Sequence, residues 1–167
     1  MSGSTTKKVL IDRFDRQRLR GFLQPETGYQ AEGVELLTPE GSVAVVPYTQ
    51  IKLLSYVRDL EGSGALGDRR QFLARPKSAG LWVLFTFRDG DSMEGVVPND
   101  LLGLNEPGFA FTPPDAARNT QRVFVPRAAL ERISVLGVVG SPLRGRTGAR
   151  RPAEARQIGL FSLVDPA

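Results

Sequence analysis

Three arginines alternate along Arg16-Gln17-Arg18-Leu19-Arg20, and in an extended strand that spacing sets their guanidinium groups on one face. Such a row suits phosphate oxygens, so the segment is a candidate RNA or DNA contact; the competing reading, which we favour, is a solvated strand face beside acids such as Asp12, Asp15 and Glu35. Arg69, Arg70, Arg75 and Lys77 form a second basic cluster. Trp82, just beyond it, is expected to pack rather than to stack on bases. Carboxylates come in close pairs at Asp12/Asp15 and Asp89/Asp91, but both pairs fall at expected turns, where acids are ordinary turn formers. Cysteine and histidine are absent from all 167 residues. Their absence excludes disulfides, thiolate nucleophiles, Ser-His-Asp relays and His-ligated zinc or iron. Oxygen-ligated Mg²⁺ or Ca²⁺ is the one metal class left open. We expect no metal site, no cofactor and no enzyme.

Phosphate-cradling loops fare no better. Gly62-Ser63-Gly64-Ala65-Leu66-Gly67 has the spelling G-x-G-x-x-G. A dinucleotide site needs that turn to open a helix inside a βαβ unit, whereas Pro76 cuts any helix short and a β-hairpin follows. The stretch reads instead as a flexible joint between two folded units. No nucleotide cofactor is expected.

The net charge of +4 is concentrated in the tail. Residues 144–167 carry five arginines against Glu154 and Asp165, so the preceding 143 residues are close to neutral. A basic whole-chain balance is therefore weak support for a basic binding face. No apolar stretch is long enough for a signal-peptide core or a bilayer span, so a cytoplasmic location without membrane contact is expected. The basic stretch after Ser141 reads as a flexible tail, yet it ends in Ile158-Gly159-Leu160-Phe161-Ser162-Leu163-Val164. That apolar segment either returns to its own fold as an extra strand or docks on a partner by strand addition.

The elements that must position these residues come from an internal repeat. At an offset of 74, Val9, Leu10, Asp15 and Gly21 meet Val83, Leu84, Asp89 and Gly95. Further on, Val45-Val46-Pro47 matches Phe124-Val125-Pro126 and Ser55 matches Ser134, at an offset of 79. Each copy reads as five strands: 8–14, 18–24, 33–38, 42–47 and 51–57 in the first, and 81–87, 92–97, 108–112, 121–126 and 130–136 in the second. A glycine inside each second strand suits a sharp bend, and a proline closing each fourth strand suits a single 3₁₀ turn into the fifth.

This arrangement resembles the Sm-like barrel shared by Sm proteins and bacterial Hfq. Val83 to Asp100, with Asp89-Gly90, Met93 and Gly95, resembles the first Sm signature, and Val125 to Ile133 resembles the second in length and apolar spacing. Arg69 to Val135 also resembles an uncharacterised bacterial domain family. The Sm resemblance implies a ligand site at the turn between strands four and five. There the Arg-Gly of Sm and the Lys-His of Hfq are replaced by Tyr48-Thr49-Gln50 and Arg127-Ala128-Ala129, which makes Tyr48, Gln50 and Arg127 the candidates. The expected architecture is all-β: two tandem five-stranded barrels of Sm-like or SH3-like type, each with a private interior. The expected division is 1–60, a linker at 61–80 with a short helix around Asp68 to Ala74, 81–140, and a basic tail at 141–167. The expected function is a non-catalytic binding or scaffold module, with itself or another protein as partner. The alternative is a nucleic-acid-binding regulator using the strand-two, linker and tail arginines.

Overall fold

A computed structural model of the chain describes residues 5–100, 102 and 107–140. The repeat is realised as ten strands: β1 (Lys7–Arg13), β2 (Arg18–Leu23), β3 (Gly33–Leu37), β4 (Val43–Pro47), β5 (Ile51–Val57), β6 (Gly80–Phe87), β7 (Ser92–Val97), β8 (Gly108–Phe111), β9 (Thr120–Pro126) and β10 (Leu130–Val139). The protein is all-β, as expected. Pro47 and Pro126 each lead into one 3₁₀ turn, Tyr48–Gln50 and Arg127–Ala129. No helix among the described residues is long and apolar enough to cross a membrane. The basic tail and its apolar segment lie outside the described residues.

Both halves have the same antiparallel order. In the first, β5, β1, β2, β3 and β4 are successive neighbours; in the second, β10, β6 and β7 form one sheet, while β8 pairs with β9. A bridge between Val96 and Thr112, with N–H···O bonds of 3.1 and 3.0 Å, links β7 to β8.

The expectation of two barrels with private interiors is corrected here. β5 pairs antiparallel with β9, so strands from both halves share one seven-stranded sheet, β4-β3-β2-β1-β5-β9-β8. Neither sheet closes into a barrel among the described residues. The cause is elementary: an unclosed five-stranded unit leaves backbone donors and acceptors bare on its outer strands. Tethering two units brings one copy's fifth strand beside the other's fourth, and pairing satisfies both edges.

The interiors are shared accordingly. Leu53 and Leu54 point to opposite faces of β5, and a register shift against Asp12–Arg13 returns Ile51 to the side of Leu54, so Ile51 and Leu54 enter the first core and Leu53 enters the second. In return Phe124 of β9 completes the first core, with its ring 4.6 Å from that of Tyr29 and 6.4 Å from that of Tyr48. The second core is built around Phe85, Phe87, Phe111, Met93 and Val123.

Two details of the connector also differ from expectation. No helix forms between Asp68 and Ala74. That segment lies along β7 instead: the Glu94 amide donates to the Arg70 carbonyl at 2.8 Å, and the Phe72 amide donates to the Glu94 carboxylate at 3.1 Å. The same carboxylate accepts the Trp82 indole N–H at 3.0 Å, and Phe72 packs edge-on against that indole. These tertiary bonds offer the backbone more than two turns of helix would. The glycine-rich stretch is likewise docked rather than a free joint, since Ala65 is buried and its amide donates to Ser55 Oγ at 3.0 Å.

Candidate functional site

The alternating arginines do not form an uncompensated stripe. Arg18 pairs with Asp12 at 2.7 Å, and Arg20 pairs with Glu61 of the connector. Arg16 occupies the β1–β2 turn with φ of 66° and is exposed. In the linker cluster, Arg70 donates to the Leu66 carbonyl and lies 3.6 Å from Asp91, while Arg75 donates to the Val138 carbonyl at 2.6 Å. Arg69 and Lys77 are exposed. Of these seven residues, Arg18, Arg20 and Arg70 thus face carboxylates and Arg75 a backbone carbonyl, and Arg16 acts electrostatically on Asp91 as Arg70 does.

The strand four to five turns are brought together. Tyr48 is buried and its hydroxyl donates to the Gln30 carbonyl at 2.7 Å. Gln50 accepts from Arg13 at 3.0 Å, and the Arg127 guanidinium lies over the Phe109 ring. Arg88, which sequence reasoning missed, donates to the Thr49 carbonyl of one turn and the Ala128 carbonyl of the other. Its guanidinium also stacks 3.9 Å from the centre of the Phe14 ring. Of the ligand candidates at these turns, Tyr48 thus packs across the halves against Phe124, whereas Gln50 and Arg127 contact Arg13 and Phe109 of their own halves.

Lys52 was missed as well. It is buried on β5, and its ammonium donates to both Asp89 and Asp91 at 2.5 Å, within cation–π reach of Phe87. The hydrogen bond from Lys52 holds the Asp91 carboxyl below the usual carboxylate range, against a smaller opposing effect of burial. The turn acids therefore form a clamp between the halves.

What the fold leaves unsatisfied lies at its two ends. Followed through the Val96–Thr112 bridge, the strands form one curved ribbon that begins at β4 and finishes at β10. Among the described residues β4 is paired only with β3, and β10 only with β6, so within that set each keeps one bare edge. Both edges carry exposed apolar side chains: Val43 (62%), Val45 (51%), Ile133 (37%) and Val135 (61%). Beside β10 opens a groove of about 1050 Å³, lined by Leu81, Val83 and Phe85 together with Ile133 and Val135. Its far wall includes Tyr29 and Tyr56, whose hydroxyls share a hydrogen bond. Burial, above all, raises both phenol pKa values, so these two hydroxyls stay uncharged at neutral pH, while Lys7, Lys8, Glu26 and Arg122 also line the groove.

A family model matches residues 5–137, which takes in both halves and the seam between them. The chain belongs to DUF6982, a family of unknown function. Comparison with curated proteins and with solved structures found no match. Because the DUF6982 span includes β5 and β9 together, the unit it describes is the joined pair.

Proposed function

We propose that this DUF6982 chain is a non-catalytic scaffold of two Sm-like units that assembles with copies of itself by pairing β4 of one molecule with β10 of the next. One observation carries the reading: the seam inside the molecule is a template for the contact its two ends lack. At the seam Leu54 faces Phe124, Ser55 faces Val123 and Tyr56 faces Arg122. The repeat offset of 79 converts these pairs into Ile133 facing Val45, Ser134 facing Ala44 and Val135 facing Val43. At the seam Leu54 and Phe124 are 0% and 6% exposed, whereas their counterparts Ile133 and Val45 stand in solvent. Burying four such side chains and satisfying two bare edges favours association. The two edges differ, so the contact is head-to-tail, and it closes a ring or extends a filament according to the rotation per molecule.

The test uses the absence of native cysteine. In a Val45→Cys, Ile133→Cys double variant, mild oxidation is expected to link molecules to one another, and light scattering of the parent chain is expected to show a mass that rises with concentration. Val43→Asp, introduced into the parent chain and into the double variant, should abolish both effects while leaving the β-sheet spectrum intact. A strict monomer at high protein concentration, with no intermolecular disulfide in the double variant, would falsify the proposal.

A further inference from the structure

The groove beside β10 is the second half's version of a place that is filled in the first. At the seam, β9 lies along β5 and sets Phe124 opposite Leu54, where its ring completes the first core between Tyr29 and Tyr48. Opposite Ile133, the counterpart of Leu54, no described residue plays that part, and the space opens onto Leu81, Val83 and Phe85. A strand added to β10 with a large apolar residue facing Ile133 would seal it. Val45 of a second copy reaches this position under the assembly scheme, but valine is a smaller plug than the Phe124 it replaces. The chain supplies a closer match within its own sequence.

We infer that residues 158–164 add as a strand to the free edge of β10 in the same molecule and seat Phe161 in the groove, capping the edge through which copies assemble. The inference rests on the assembly proposal for its consequence, though not for the contact itself. Ile158-Gly159-Leu160-Phe161-Ser162-Leu163-Val164 carries no charge, in contrast to the arginine-bearing stretch before it. Seven extended residues span about 23 Å, which matches the run of β10 from Leu130 to Leu136 that an antiparallel strand with Phe161 opposite Ile133 would cover. Connection is easy. The chain leaves β10 at Gly140, whose φ of 61° allows a reversal, and residues 141–157 then separate it from Ile158. A random chain of that length has a root-mean-square reach of about 23 Å, whereas the antiparallel return begins beside Leu136, a few residues from where the chain leaves β10.

A tether of this kind presents its segment at an effective concentration of roughly millimolar order. The tail therefore competes with β4 of a second molecule, and the intact chain assembles more weakly than one lacking residues 158–164, by at least about tenfold in dissociation constant.

Paired cysteines test the contact. Residues facing each other across antiparallel strands stand at a separation a disulfide accepts. In an Ile133→Cys, Phe161→Cys variant, oxidation is expected to give an intramolecular bond, seen as monomer mass without reductant and a cross-linked peptide on digestion. Amide hydrogen exchange supplies a second measurement at dilute protein: β10 amides are expected to exchange at least about tenfold faster in a chain ending at Gln157 than in the full chain. An intermolecular bond, or no bond together with equal exchange rates, overturns the inference. If the bond forms but the chain ending at Gln157 remains monomeric at high concentration, capping stands and the assembly reading falls. If that shortened chain assembles no more tightly than the full one while neither tail measurement responds, capping falls and assembly stands.

Discussion

Lys52 is a charge inside a wall of apolar side chains, and its two carboxylate partners make that placement tolerable. The consequence is a pH dependence whose sign follows from Asp91. Its pKa is depressed in the folded protein by the Lys52 hydrogen bond. Its contribution to stability is therefore present above the ordinary aspartate value of about 3.9 and is lost as pH falls through the lower folded value. Asp91→Asn should lower the melting temperature at pH 7 and flatten its decline between about pH 5 and pH 3. A calorimetric series on the two proteins checks this, and parallel acid limbs would show that the carboxylate contributes nothing. Sequence placed Asp89 and Asp91 correctly at a turn but could not supply Lys52. A lysine on β5 meets that turn only through the seam, and nothing in local spacing encodes a pairing between strands of different halves.

At the level of elements, nearly every strand was legible, because each is a short apolar run bounded by Gly, Pro or Asp and repeated at a fixed offset. Gly95 shows what the repeated glycine does. A methyl group there would stand 2.2 Å from a ring carbon of Phe111, so β7 has room for β8 only without a side chain at that point. Gly95→Ala is expected to cost about 1–3 kcal/mol by overpacking, read as a shift of the denaturation midpoint in urea. An unchanged midpoint would mean that the Phe111 ring moves aside freely. The connector was the element misread. The residues around Phe72 have no strong helical period, and their conformation is decided by Glu94 and Trp82, which are distant in sequence and adjacent in space. Docking of that kind is a tertiary override of local preference.

The whole molecule was half legible. Duplication could be read from residues 9–57 and 83–136, but a duplicated sequence describes two separate barrels and two fused open sheets equally well. Burial distinguishes them: β5 is almost entirely buried, whereas its counterpart β10 is mostly exposed, and that asymmetry marks which edge is covered. The basic clusters, prominent in sequence, are partly neutralised in the fold, because their partners Asp12, Glu61 and Asp91 come from other strands and the connector. Edge pairing through valines and isoleucine should also respond little to ionic strength, unlike association through phosphate contacts. Self-association measured between low and moderate salt is expected to change by less than about threefold. A steep loss with added salt would point to charge as the driving force.

The seam between β5 and β9 also predicts how the chain behaves when cut. Each interior borrows a residue from the other side, Phe124 in one direction and Leu53 in the other, so neither piece owns a complete core. Expressed as two polypeptides divided near Gly67, the pieces are expected to be poorly folded alone and to recover a native sheet spectrum when mixed at equal stoichiometry. Covalent continuity would then be dispensable, and the protein would serve as a fragment-complementation pair whose reassembly reports on the proximity of whatever is attached to each piece.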